Sequence, residues 1–201
     1  MNTDEIISMI SIEELDETLD REEIYKVILN STDYLDISLE LYFYVIIRHA
    51  FLRIDIYDRD VADYIATMLV RFSRTKSTKL QTIRKSPFVY ISEVLLEIQK
   101  IDAKEQYYWK VFLAEQSLLM VCLFREFIER QVQRSAAPGI VFYENTARST
   151  YINIAQHQIS REKQRSDLYY QISEMISEIE AALIDTKEVI FHFDATPNFE
   201  F

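Results

Sequence analysis

The chain has 201 residues, 49% of them apolar, a single glycine (Gly139), three prolines and a formal charge of −11. One glycine excludes the glycine-rich phosphate loops of P-loop and dinucleotide-binding proteins, and no GxSxG nucleophile elbow is present. So few glycines and prolines also leave too few positive-φ turns for a sheet-rich fold, so residues 1–201 are expected to form an all-α, single-domain helical bundle of about six to eight helices.

Residues 4–30 read as acidic N-terminal helices, with a capping-box pattern at Ser11 and Glu14 and a second acidic start at Asp20 and Glu23, so a break is expected near Asp20. The central helices span residues 38–134. SLELYFYVIIRHAFLRI (38–54) is apolar almost all round, interrupted only by Glu40, Arg48, His49 and Arg53, which marks a helix running through the core. In DRDVADYIATMLVRF (58–72), Asp58 fits an N-cap, and Val61, Tyr64, Ile65, Met68, Leu69 and Phe72 recur at helical spacing. SRTKSTKLQTIRKS (73–86) is polar and lacks acids, as a long connection or a short helix between loops would. Ser86 and Pro87 then fit the cap and first position of a helix carrying Phe88, Ile91, Leu95 and Ile98.

Asp102 with Glu105 suggests another capped start, leading to one long helix or two stacked pieces that Ala137-Pro138-Gly139 brings to an end. The C-terminal helices, 140–190, carry an expected interruption near Ser166 and Asp167, then Leu168, Ile172, Met175, Ile176, Ile179 and Leu183 on the last helix. EVIFHF (188–193) fits either a helix end or a short strand. The aromatic tail, 191–201, is either docked or disordered.

Cys122 is the only cysteine, so no intrachain disulfide and no CxxC zinc or redox site can form. The longest apolar runs, LYFYVII (41–47) and LLMVCLF (118–124), fall far short of the about 20 residues a membrane-spanning helix needs. The acidic N-terminus lacks the order of a secretory signal, and a cytoplasmic protein without membrane contact is expected. Residues 1–40 hold twelve acids and two bases, and 167–201 hold eight acids and one base, while the remaining 41–166 hold nineteen bases and thirteen acids. Acidic ends therefore flank a basic centre, an arrangement in which the ends fold back over the middle or the centre binds an anionic partner.

FYENTARSTYINIAQH (142–157) gathers a Glu, an Arg, a His and two Tyr. On a helix turning about 100° per residue, Glu144 and Arg148 suit a surface ion pair, whereas Arg148 and His157 fall on opposite faces. Tyr143, Ala147, Tyr151, Ile154 and Ala155 make a stripe suited to the core. A polar site here needs partners from a second helix, and Arg48 and His49 are the candidates. Charge within an apolar helix must be paired, by Glu40 or an acid of a neighbouring helix if its role is structural. The candidate polar site is accordingly Arg48, His49, Glu144, Arg148 and His157. Six bases without an intervening acid, Arg71, Arg74, Lys76, Lys79, Arg84 and Lys85, form a candidate anion-binding segment. No histidine has a Glu three residues before it, as a di-iron bundle requires, and Glu188 with His192 lacks a third ligand, so no metal and no cofactor are expected.

ELYFYVIIRHAFLRIDIYDRDVADYIATML together with PGIVFYENTARSTYINIAQH resembles a family of uncharacterised bacterial all-helical proteins of about this length. In that family the second segment reads Tyr-Tyr-Glu, then Gly-Arg, then Tyr and His; here Phe142 and Ala147 stand for the first Tyr and the Gly. The resemblance implies a helical fold and brings no function with it.

Three functions remain open. The 25 Tyr and Phe residues, including Tyr107-Tyr108 and Tyr169-Tyr170, point to a cytoplasmic helical interaction or scaffold protein acting as a homo-oligomer or meeting another protein. The polar residues point to an enzyme or small-ligand binder with an interhelical site. The segment 71–85 points to a nucleic-acid binder.

Overall fold

A computed structural model describes residues 12–30, 37–74, 91–135 and 137–191, and among these every regular element is helical. The Ser11 and Ser86-Pro87 caps, Phe88, His192 and the rest of the tail lie outside the described residues. The chain divides into two compact units, residues 1–70 and 71–201.

The first unit opens with α1 (Ile12–Leu19) and α2 (Glu22–Asn30), separated by a turn at Asp20 and Arg21 where the break was expected. Thr18 helps end α1 by donating its hydroxyl to the Glu14 carbonyl at 2.7 Å. The next helix, α3 (Leu39–Leu52), starts at Ser38, whose Oγ accepts from the Leu41 amide at 3.2 Å. Nine consecutive-turn residues of α3, including Phe43, Val45, Ile46, Ile47 and Phe51, are buried, so its all-round apolarity does mark an interior helix. It ends in a Schellman turn in which Asp55 adopts a left-handed φ of 59° and the Ile56 amide reaches back to Phe51 at 2.9 Å. Asp58 then caps α4 (Arg59–Arg74) through the Val61 amide at 2.8 Å, and Val61, Ile65, Met68 and Leu69 form its buried stripe.

The second unit is built on α6 (Ala103–Leu123), which follows the short α5 (Ile91–Ile98). Asp102 caps α6, accepting from Lys104 at 2.8 Å and Glu105 at 3.0 Å. Phe124, outside helical geometry at φ −121°, separates α6 from α7 (Arg125–Arg134), so the stretch expected as one long helix or two is two. After the Ala137-Pro138-Gly139 breaker comes α8 (Ile140–Ala155), which packs along α6. Ala147, Tyr151, Ile154 and Ala155 are buried, with Tyr143 half-buried, as the stripe predicts, and Thr150 is buried beside them.

The chain breaks earlier and more often than expected beyond this point. His157 begins α9 (Gln158–Glu162), and a second Schellman turn with Gln164 at φ 54° leads to α10 (Ser166–Glu174). The expected single last helix is divided at Met175 into α10 and α11 (Ile176–Asp185). No glycine or proline marks that break; Ile172, Ile176, Ile179 and Leu183 on its two sides are all buried, and packing rather than a local breaker accompanies the bend. Finally, α12 (Lys187–Phe191) resolves the described part of EVIFHF as helix.

Candidate functional site

In the first unit, Arg48 and His49 are 3% and 4% exposed, and each has found a partner where α1 gives way to the turn before α2, Arg48 at Asp20 and His49 at Leu19. Arg48 donates from Nε to Asp20 Oδ1 at 2.8 Å and from Nη2 to Oδ2 at 3.0 Å, the two-pronged geometry that suits a guanidinium to a carboxylate. Its Nη1 points at the Ile56 carbonyl, 3.5 Å away. Arg59, at the start of α4, adds a third donor to Asp20 at 2.7 Å and lies 3.4 Å from Asp16. His49 Nε2 donates to the Leu19 carbonyl at 3.0 Å, so that nitrogen carries a proton, while Nδ1 lies 3.7 Å from Glu22. The imidazole stacks on Tyr25 at 4.7 Å, and the Arg53 guanidinium sits 4.9 Å from the same tyrosine ring.

Burial by itself would raise the Asp20 carboxyl, but the hydrogen bond from Arg48 and the charges of Arg48, Arg59 and His49 outweigh it and hold the group below the ordinary aspartate range. Burial also pushes up the phenols of Tyr42 and Tyr44, the latter hydrogen-bonded to Arg59. Chemically this is a latch. The acid of the neighbouring segment anticipated for Arg48 is Asp20, and the cluster ties the turn before α2 to α3 and α4.

Glu144, Arg148 and His157 belong to the second unit, and the structure sends them to three different helices. Arg148 Nη1 donates to the Ser173 carbonyl at 2.6 Å, satisfying one of the free carbonyls at the end of α10. His157 caps α9, its Nδ1 accepting from the Ile159 amide at 3.2 Å, and its ring lies 5.2 Å from that of Tyr107. It therefore sits beyond the end of α8 rather than on the same helix as Arg148, which corrects the expectation of one continuous helix over 142–157.

Glu144 hydrogen-bonds to Glu180 on α11. Arg125, the first residue of α7, donates to Glu180 at 2.5 Å. Burial, followed by the neighbouring Glu144 charge, raises the Glu180 carboxyl despite Arg125. Cys122 lies beside this pair and is fully buried; desolvation, then the charges of Glu180 and Glu144, push its thiol well up, which disfavours the thiolate. The acidic C-terminal stretch thus meets a base of the centre at Arg125, whereas the pair in which Lys187 donates to Glu126 at 2.7 Å has the reverse polarity. A further polar contact joins the buried hydroxyls of Tyr107 and Tyr169 at 3.4 Å, and Lys163 lies over the rings of Tyr107 and Tyr108 at 6.0 and 5.3 Å.

Of the six basic candidates, Arg71 pairs with Glu115 of α6 and Arg74 is exposed at the end of α4, while Lys76, Lys79, Arg84 and Lys85 lie outside the described residues. The sequence marks Asp20 only as a helix start and break, not as a partner of Arg48, and does not mark Arg59, Arg125 or Glu180. The only signal of their pairing is the charge contrast between the ends and the centre. Among the described residues no group of three His, Cys, Asp or Glu side chains is placed to hold a metal ion, and no helix is long and apolar enough to cross a membrane. No protein-family model, no curated protein and no solved structure matches the chain.

Proposed function

We propose that the protein is a cytoplasmic helical interaction protein that works as a homo-oligomer. The observation that carries this reading is a contrast. Arg48, His49, Arg148, Glu144 and His157, the side chains best suited to act on a substrate, are each engaged by a neighbouring element of the fold, with Asp20, Leu19, Ser173, Glu180 and Ile159 as partners. Large apolar side chains meanwhile stand in solvent: Val141 is 66% exposed and Val132 44%. An exposed apolar surface is what association covers, whereas charges held by their own fold are poorly placed to bind a second molecule. The pairing of Arg71 with Glu115 likewise favours association over phosphate binding.

Sedimentation of the full chain over a wide concentration range tests the reading. A mass that is a multiple of the chain mass is the expected result, and a strict monomer throughout would overturn it.

A further inference from the structure

The residues that α8 leaves to solvent differ from those of its neighbours. Val141, Phe142, Asn145, Ser149, Ile152 and Asn153 are exposed, and none carries a charge. At about 100° per residue they fall within one sector about 120° wide, opposite the buried Ala147, Thr150, Tyr151 and Ile154. Other helices expose charged side chains: Glu23 on α2, Asp63 on α4, Lys104 on α6, Arg134 on α7, Glu174 on α10 and Glu178 on α11 are instances. The two charged residues α8 does contain, Glu144 and Arg148, are turned to Glu180 and Ser173.

We propose that this face of α8 is the seam along which a second copy of the chain packs, helix against helix about a two-fold axis. The inference rests on the reading of the protein as a homo-oligomer and names the surface. A two-fold contact sets each patch against itself, so any charge near the axis meets its own like. For a chain of net charge −11 that is a severe constraint, and the outer face of α8 meets it. The order of residues along the face fits as well. With two α8 helices antiparallel and centred at Ala147, Phe142 comes opposite the partner's Ile152, and Asn145 opposite the partner's Ser149. The apolar pairs then lie at the two ends and a small polar pair near the axis, where an amide can both donate and accept. Val132, close to Gly139 at the start of α8, extends the apolar area onto α7. Lys110, which donates to Asn153 at 2.9 Å, marks one margin.

The test uses two variants at one exposed position, Asn145→Glu and Asn145→Lys, in the full chain, with helix content checked by circular dichroism. Each alone should weaken self-association on the order of tenfold to a hundredfold, because like charges meet across the axis. Mixing the two should restore a dimer holding one copy of each. If the wild type is oligomeric and both variants remain as tightly associated, α8 is not the seam, although the homo-oligomer stands. If both variants dissociate and mixing fails to restore pairing, the contact is not two-fold at this position and the proposal fails. A monomeric wild type overturns the seam together with the reading beneath it.

Discussion

The two units solve the same problem, a charged group drawn in from water, with opposite balances of charge. In the first, one carboxylate, Asp20, is surrounded by Arg48, Arg59 and His49, and its ionised form is favoured. In the second, Glu180 shares its place with another carboxylate and has one arginine for relief, so its carboxyl is held above the ordinary glutamate range. Burial pushes both groups the same way; the number and sign of neighbours decide the outcome. The lesson is that two half-buried acids of one chain are shifted in opposite directions, one by the cations around it and the other by burial and a second carboxylate.

Replacing Asp20 should give the largest effect. Asp20→Asn leaves the buried Arg48 without its counter-charge and should destabilise the first unit by about 3–5 kcal/mol in urea unfolding. A loss below about 1 kcal/mol would mean that the pair is no latch but behaves as a surface ion pair does.

Acid should separate the units next. Asp20 is depressed in the folded chain, so its contribution is complete above the ordinary aspartate range and is lost as pH falls through its lowered value. Glu180 is raised, so the folded form holds its proton more tightly than the unfolded one. Its contribution is therefore largest below the ordinary glutamate range and is lost as pH rises through its raised value. Hydrogen exchange, corrected for intrinsic rates, should show protection around Asp20 falling on acidification while protection around Glu180 holds or grows. Parallel changes in both regions would erase the contrast.

Glu180→Gln should then be mild, within about 1 kcal/mol of the parent, because losing the half-exposed Arg125 pair is offset by relief of the Glu144 repulsion. It should also flatten the acid response of the second unit.

The smallest effects concern the turns. Gln164→Gly should stabilise by up to about 1 kcal/mol, because a side chain at φ 54° carries a steric cost that glycine avoids. Asp55→Gly should gain less, because Asp55 also accepts a hydrogen bond from Tyr57 at 3.1 Å.

Much of the fold was legible because its signals are local. Ser38, Asp58 and Asp102 cap helices through amides two or three residues away, and Gly139 follows the one proline that interrupts the helical pattern between α7 and α8. The breaks at Phe124 and Met175 were not, since neither contains a glycine or proline and each follows from how the flanking turns pack. The candidate site was legible only in half. That Arg48 needed an acid follows from its apolar surroundings, but Asp20 lies 28 residues earlier, and nothing in the intervening sequence pairs them. The meeting of Glu144 and Glu180 is likewise a product of α8 and α11 coming together, and helical spacing within 142–157 carries no trace of it.

The enclosure of Cys122 has a practical consequence. As the chain's one sulfhydryl, it is shielded from alkylating or disulfide reagents while the second unit keeps its native form. Any labelling of the intact chain must wait for that region to breathe, so the rate of labelling becomes a clock for transient openings, written into the polypeptide without an added probe.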